Sequence, residues 1–209
     1  NVGVGYSAGG AITTGTFNTL IGGLAGDALT DADQNVAIGL NALTQDTLGS
    51  FSVAVGTSAL GTQNFTTATN TYNTAVGHSA GVSVTTGVRN NLFGGLAGDA
   101  LTTGNNNIAI GFQALTADTL GSRNIAIGSD ALEVQNFSTT ATDAYNIAIG
   151  YKAGSAVTTG KLNTIVGGQA GDGITTGNNN VVVGYGSDTT GATITQAIVI
   201  GAGVTGGSN

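Results

Sequence analysis

The chain has 209 residues, of which 37 are Gly and none is Pro, Cys, Met or Trp; 7% are charged and the net charge is −7. Gly at this level without Pro or a Gly-X-Y period excludes collagen, an apolar content of 40% excludes a disordered linker, and no run of 18 apolar residues is present to span a membrane. No membrane insertion is therefore expected; the acidic balance argues against nucleic acid or an anionic membrane as partners, while the lack of Cys suits an extracellular or virion part.

From the N-terminus, the first predicted strand closes on Gly5, and the same short apolar run returns to close on Gly22, Gly39, Gly56, Gly77, Gly94, Gly111, Gly128, Gly150, Gly167, Gly184 and Gly201. Nine of the eleven intervals are 17 residues; the other two are 21 and 22. One strand signature at one period means one unit stacked many times, which is a solenoid. The residue before each Gly is Val, Ile or, once, Phe93, and two residues earlier Val, Ile and Thr predominate. These columns share one face of a strand with period 2. Small or apolar residues such as Ala37, Ala109 and Ala148 lie between them, so both faces are apolar and both are expected to be covered.

After the Gly, a second small column (Ala25, Ala42, Ala97, Ala114) predicts a short second strand where backbones approach closely. It is followed by turns such as Thr13-Thr14-Gly15, Thr85-Thr86-Gly87 and Thr158-Thr159-Gly160, with Gly expected to supply a positive φ. Asn opens ten of the twelve runs, and Asn18, Asn35, Asn107, Asn124, Asn146, Asn163 and Asn180 fall in one column. A stacked Asn column predicts amide hydrogen bonds passed from rung to rung. About 12 rungs of 17 residues, at about 4.8 Å each, predict a body roughly 50 Å long.

A higher-order repeat groups the rungs in fours, so residues 1–209 read as one β-solenoid repeat domain with blocks 6–77, 78–150 and 151–209. Tyr6, His78 and Tyr151 head the blocks. The fourth rung of the first two blocks carries an insertion, Gln63-Asn64-Phe65-Thr66-Thr67 and Gln135-Asn136-Phe137-Ser138-Thr139, closing on Tyr72 and Tyr145. Insertions in solenoids map to loops on one side, often the binding side. If a receptor is contacted here, Phe65, Tyr72, Phe137 and Tyr145 are the expected exposed rings; collar contacts to a neighbouring chain are the alternative. With no Met at position 1 and no signal-peptide pattern, the chain is expected to be a fragment of a longer fibre.

Residues for chemistry are sparse. His78 is the only His and there is no Cys, so one chain has neither a zinc ligand set nor a Cys-His pair, and no catalytic residue, metal site or cofactor is expected. Gly201-Ala202-Gly203-Val204-Thr205-Gly206 matches the dinucleotide fingerprint only as a string, since no helix pattern follows. Asp27, Asp31 and Asp33 raise calcium binding, but the nonapeptide period of calcium-binding β-rolls is absent. Asn64-Phe65-Thr66 and Asn136-Phe137-Ser138 are formal glycosylation sequons.

Asn-Ile-Ala-Ile-Gly at 107–111, 124–128 and 146–150, with Ser52-Val53-Ala54-Val55-Gly56, resembles the head repeat of YadA-like trimeric autotransporter adhesins. Asn73-Thr74-Ala75-Val76-Gly77-His78-Ser79-Ala80-Gly81 is also similar to repeats in bacteriophage tail fibres. The adhesin heads use a shorter rung than 17 residues. The resemblance implies an all-β, left-handed parallel β-roll in a homotrimeric fibre, located on a virion surface or outside a cell. It also implies a role in host attachment, with a cell-surface glycan or protein receptor and other fibre or virion proteins as partners. A self-assembling extracellular filament and a calcium-dependent single-chain β-roll are the alternative readings.

Overall fold

The structure, a computed structural model, describes residues 1–207. It is all-β, with no helix among the described residues. Twelve three-residue strands, from Val2–Val4 and Thr19–Ile21 to Val181–Val183 and Ile198–Ile200, form one parallel sheet in which each strand pairs with the next. Like columns pair with like: Val36 with Val53, Ala37 with Ala54, Ile38 with Val55. The register survives the longer intervals, since Ile125, Ala126 and Ile127 pair with Ile147, Ala148 and Ile149. The chain is therefore a parallel β-solenoid of twelve turns whose insertions bulge out without disturbing the stack.

Each strand is short because it is bounded at both ends. Asn turns the chain in, and Gly turns it out in a conformation closed to other residues. Gly22 has φ +134°, and a Cβ there would stand 2.5 Å from the carbonyl oxygen of Gly39. The same collision recurs rung after rung, so the glycine column is both a left-handed corner and a point of backbone contact.

The middle residue of each strand from Thr19–Ile21 onward points inward. Ala37, Ala54, Ala109 and Ala126 are fully buried, as are Leu20, Leu92 and Ile165 in the same column. The interior is too narrow for a large residue everywhere, and it is filled from two sides. Where the strand supplies Leu20 or Leu92, the next corner has Gly26 or Gly98; where it supplies Ala37, Ala54, Ala109 or Ala126, the corner has Leu43, Leu60, Leu115 or Leu132. Those four leucines accept φ between +48° and +56° to reach the core.

Two local expectations are corrected. The second strand does not lie at the Ala column after Gly, where the chain turns; two-residue ladders occur elsewhere, Gly49–Ser50 with Thr69–Asn70, Gly121–Ser122 with Thr142–Asp143, and Asp188–Thr189 with Thr205–Gly206. Gly15, Gly87 and Gly160 are not at positive φ. They are glycines because a Cβ would meet the carbonyl of the next turn at 2.4 Å in each case. The positive φ falls two residues later, at Phe17, Arg89 and Leu162.

Candidate functional site

The outer face of the twelve-stranded sheet is covered by no other element among the described residues. Its two columns are β-branched except at Asn91 and Phe93; the mid-sheet residues Ile21, Phe93, Ile110 and Ile149 stay 38–39% exposed, and others such as Ile38, Val55 and Ile127 are half-buried, even though both neighbours in the column flank them. The residue after each column glycine widens this face. There, large and small side chains alternate every rung: Tyr6, Gly23, Leu40, Thr57, then His78, Gly95, Phe112, Ser129, then Tyr151, Gly168, Tyr185. The Phe112 and Tyr185 rings lean over Gly95 and Gly168, where a Cβ would stand at ordinary contact distance, 3.6 and 3.4 Å, from ring carbons, so each large side chain rests on a small one. His78 is exposed in this column, at the place that Tyr6 and Tyr151 hold in their blocks.

The Asn column faces inward. Asn107 Oδ1 accepts the backbone N–H of Asn124 at 3.0 Å, and Asn107 Nδ2 donates to the Gly121 carbonyl at 2.9 Å. Asn18, Asn35, Asn146, Asn163 and Asn180 repeat both bonds. At 0–1% exposure these amides are spent on the stack and are closed to a ligand. A second ladder, which sequence reasoning missed, runs beside it: Thr85 Oγ1 donates to the Thr102 carbonyl and Thr102 Oγ1 to the Thr119 carbonyl. The recurrence of Thr at one column was the available signal.

Each insertion hangs on a buried polar clamp. Asp46 Oδ1 accepts the N–H groups of Gly49 and Phe65, while its Oδ2 accepts from Gln63 Nε2 at 2.5 Å; Gln63 Oε1 in turn accepts from Asn73 Nδ2. Asp118, Gln135, Phe137 and Asn146 repeat the arrangement. Burial raises the Asp118 carboxyl above its ordinary 3.8, against the pull of the Gln135 amide and nearby N–H groups. In this column six other rungs carry Ile12, Leu29, Val84, Leu101, Val157 and Ile174, so Asp and Gln replace apolar core residues where the chain must leave and rejoin the stack.

The four rings expected at the receptor side divide into pairs. Phe65 and Phe137 are 6% and 8% exposed, anchors under their loops rather than exposed surface. Tyr72 and Tyr145 are 49% and 48% exposed, and each lies on a neighbour: Phe51 stacks on Tyr72 with centroids 5.4 Å apart, and the Arg123 guanidinium sits 5.5 Å from the Tyr145 ring centre.

The turn acids pair with the hydroxyls of adjacent rungs. Asp27 accepts from Thr44 and Asp31 from Thr14, both at 2.5 Å, and Asp33 accepts from the Thr16 N–H and hydroxyl, which hold its carboxyl below the usual range. No group of three or more His, Cys, Asp or Glu side chains converges among the described residues. Thr205–Gly206 forms a strand pair with Asp188–Thr189, so the Gly201–Gly206 string opens no helix among the described residues. Asn64 and Asn136 of the sequons are exposed and accept from Thr47 and Thr119 at 3.3 and 3.2 Å. No protein-family model matches the chain, and no curated protein or solved structure matches it.

Proposed function

We propose that the chain is a segment of a homotrimeric attachment fibre, on a virion or a cell surface, that carries or supports binding to a host receptor. The observation behind this reading is the bare outer strand face. Eleven steps of about 4.8 Å and a width of three residues at about 3.3 Å make a flat strip of roughly 500 Å² in plan, near the upper end of what monomers expose as one apolar patch. Its side chains are Val, Ile and Thr almost throughout, with no charge in either column. Copies of the same chain offer the same strip at the same spacing, so their association would bury it without adding length. Threefold closure and a left-handed winding come from the resemblance to YadA-like heads and tail fibres. The strip itself supports self-association.

Mass in solution tests this. Light scattering should give three times the 20.2 kDa of one chain. Ile125→Glu with Ile127→Glu should yield single chains that keep a β-rich circular dichroism spectrum. A wild-type chain that stays single at micromolar concentration overturns the trimer. Antibody labelling of intact particles and of cells then separates virion fibre from surface adhesin.

A further inference from the structure

Three of the four cationic side chains, Arg89, Arg123 and Lys161, lie along one edge of the solenoid, each two rungs from the next, about 10 Å apart. Arg89 and Arg123 flank a cleft of about 210 Å³ whose lining also includes Asn105, Asn106, Ser122 and Asp143. Arg89, Asn106 and Arg123 are successive members of the corner column before the buried Asn, with φ 58°, 57° and 61°. That conformation projects all three from the edge.

The two arginines are not equivalent. Arg123 forms an ion pair with Asp143 of the inserted loop and rests against Tyr145, so its guanidinium is held as a wall. Arg89 is exposed and has no carboxylate partner among the described residues, and neither its side chain nor that of Asn106 makes a hydrogen bond there. The cleft thus presents unused donors beside a fixed cation.

The other blocks show that this is a local departure from the repeat. In the first block the same places hold Phe17, Asp33, Gln34, Phe51 and Asn70; Phe51 fills the space by stacking on Tyr72. In the third they hold Leu162, Asn178, Asn179, Thr195 and Gln196. Only the second block exchanges both rings for Arg and Asp33 for the neutral Asn105, within a chain whose net charge is −7. Neither the strand stack nor the clamp needs that exchange, since the first block keeps both with Phe17 and Phe51 in place. A concave site with an unpaired guanidinium favours an anion, and Arg suits carboxylates through paired N–H donors.

We infer that the Arg89–Asn106–Arg123 cleft binds a carboxylate-bearing sugar, one acidic saccharide unit of a surface glycan, with Arg89 taking the carboxylate. At 210 Å³ the cleft is smaller than the roughly 300–1,000 Å³ of pockets for drug-sized ligands, which fits one sugar ring. The exposed Asn106 amide provides the kind of polar contact a sugar requires, above a Ser122 hydroxyl that is buried and accepts the Asn105 N–H, and Lys161 extends the positive edge towards the next unit.

The test uses the full chain with glucuronate as the probe, read by saturation-transfer NMR and calorimetry. Glucuronate should bind, with its neutral methyl ester at least ~10-fold weaker and the affinity falling with salt. Arg89→Gln should weaken glucuronate by at least ~10-fold, the loss of one charge-assisted pair, with the melting temperature unchanged. Gln34 and Gln196 hold the same column at φ 56° and 62°, so the backbone accepts this residue. Arg123→Phe with Asp143→Asn, which restores the first block's pair, should close the cleft and remove binding. Absence of glucuronate binding, equal binding of the ester, or an unaffected Arg89→Gln variant overturns the site. Acetate or inorganic phosphate binding as tightly as glucuronate overturns the sugar assignment. Binding is counted per folded chain, so this result stands or falls apart from the mass measurement.

Discussion

Leu92 and Gly98 share one space. A Cβ added at Gly98 would stand 2.8 Å from Leu92 Cδ2 and 2.9 Å from Leu101 Cδ1, while one rung on the same two columns hold Ala109 and Leu115. Between the strand and this corner there is room for one large side chain per rung, supplied by one column or the other. The expected outcome is strong coupling. Leu92→Ala alone should cost about 2–5 kcal/mol by leaving a cavity, and Gly98→Leu alone about 1–3 kcal/mol by overfilling. The double variant restores the pattern of the next rung, and should lose clearly less than the sum in urea unfolding. Additive losses would show that the two columns do not compete for volume.

Asn107 tests the inner amide column. Its replacement by Ala orphans the Asn124 N–H and the Gly121 carbonyl, both deep in the stack. Each buried group left without a partner costs about 1–3 kcal/mol. Because a solenoid is stabilised mostly by neighbouring repeats, the loss should concentrate in the rungs beside it. Amide exchange should quicken at Asn107, Ile108, Asn124 and Ile125 while Val36 and Val53 stay protected.

Much of this fold is legible in the residues, because periodicity and in-register stacking are the same fact: columns at 17 residues become paired neighbours such as Val36 and Val53. The inward direction of the Ala column is not legible, since both strand faces are apolar and only the width of the closed coil selects the smaller one. Phe65 and Phe137 suggested exposed rings because they sit in insertions. The structure buries them, since the loop folds back over a polar clamp and needs an apolar anchor beneath it. The clamp itself had a visible signal, Asp46 and Gln63 one period apart and again at Asp118 and Gln135, in a column aliphatic at six other rungs. The Arg89–Arg123 cleft also had one: it is the place where the second block puts arginines in a column that carries Phe17 and Phe51 in the first.

Asp118 gives the stack a pH dependence whose sign follows from burial. Its folded-state carboxyl titrates above the ordinary 3.8. Between that value and the raised one, the folded chain keeps a proton that the unfolded chain has released. Stability from this group is therefore full below the ordinary value and falls as pH rises through the window. Asp188, also raised by burial with Asp172 adding repulsion, acts in the same direction, so a difference between variants is needed to isolate Asp118. Asp118→Asn removes the titration. Melting temperatures from about pH 3 to pH 7 should show the wild type losing ground to the variant as pH rises, and a constant gap would sink the assignment.

Phe65 and Tyr72 separate anchoring from contact. Phe65 is buried and its N–H is held by Asp46, so Phe65→Ala should cost about 3–5 kcal/mol and loosen the loop from Asn64 to Asn73. Tyr72 is half exposed and loses mainly its stack on Phe51, worth about 0.5–1.5 kcal/mol. A receptor contact in the insertions would therefore reside in Tyr72 and Tyr145. Their Ala variants should lower the melting temperature by only about 2–4 °C while lowering cell binding per folded chain. If Phe65→Ala melts like the wild type, the anchor role fails. If both Tyr variants bind cells normally, the insertions are collars, and attachment must use another surface, for which the Arg89 edge is the next to examine.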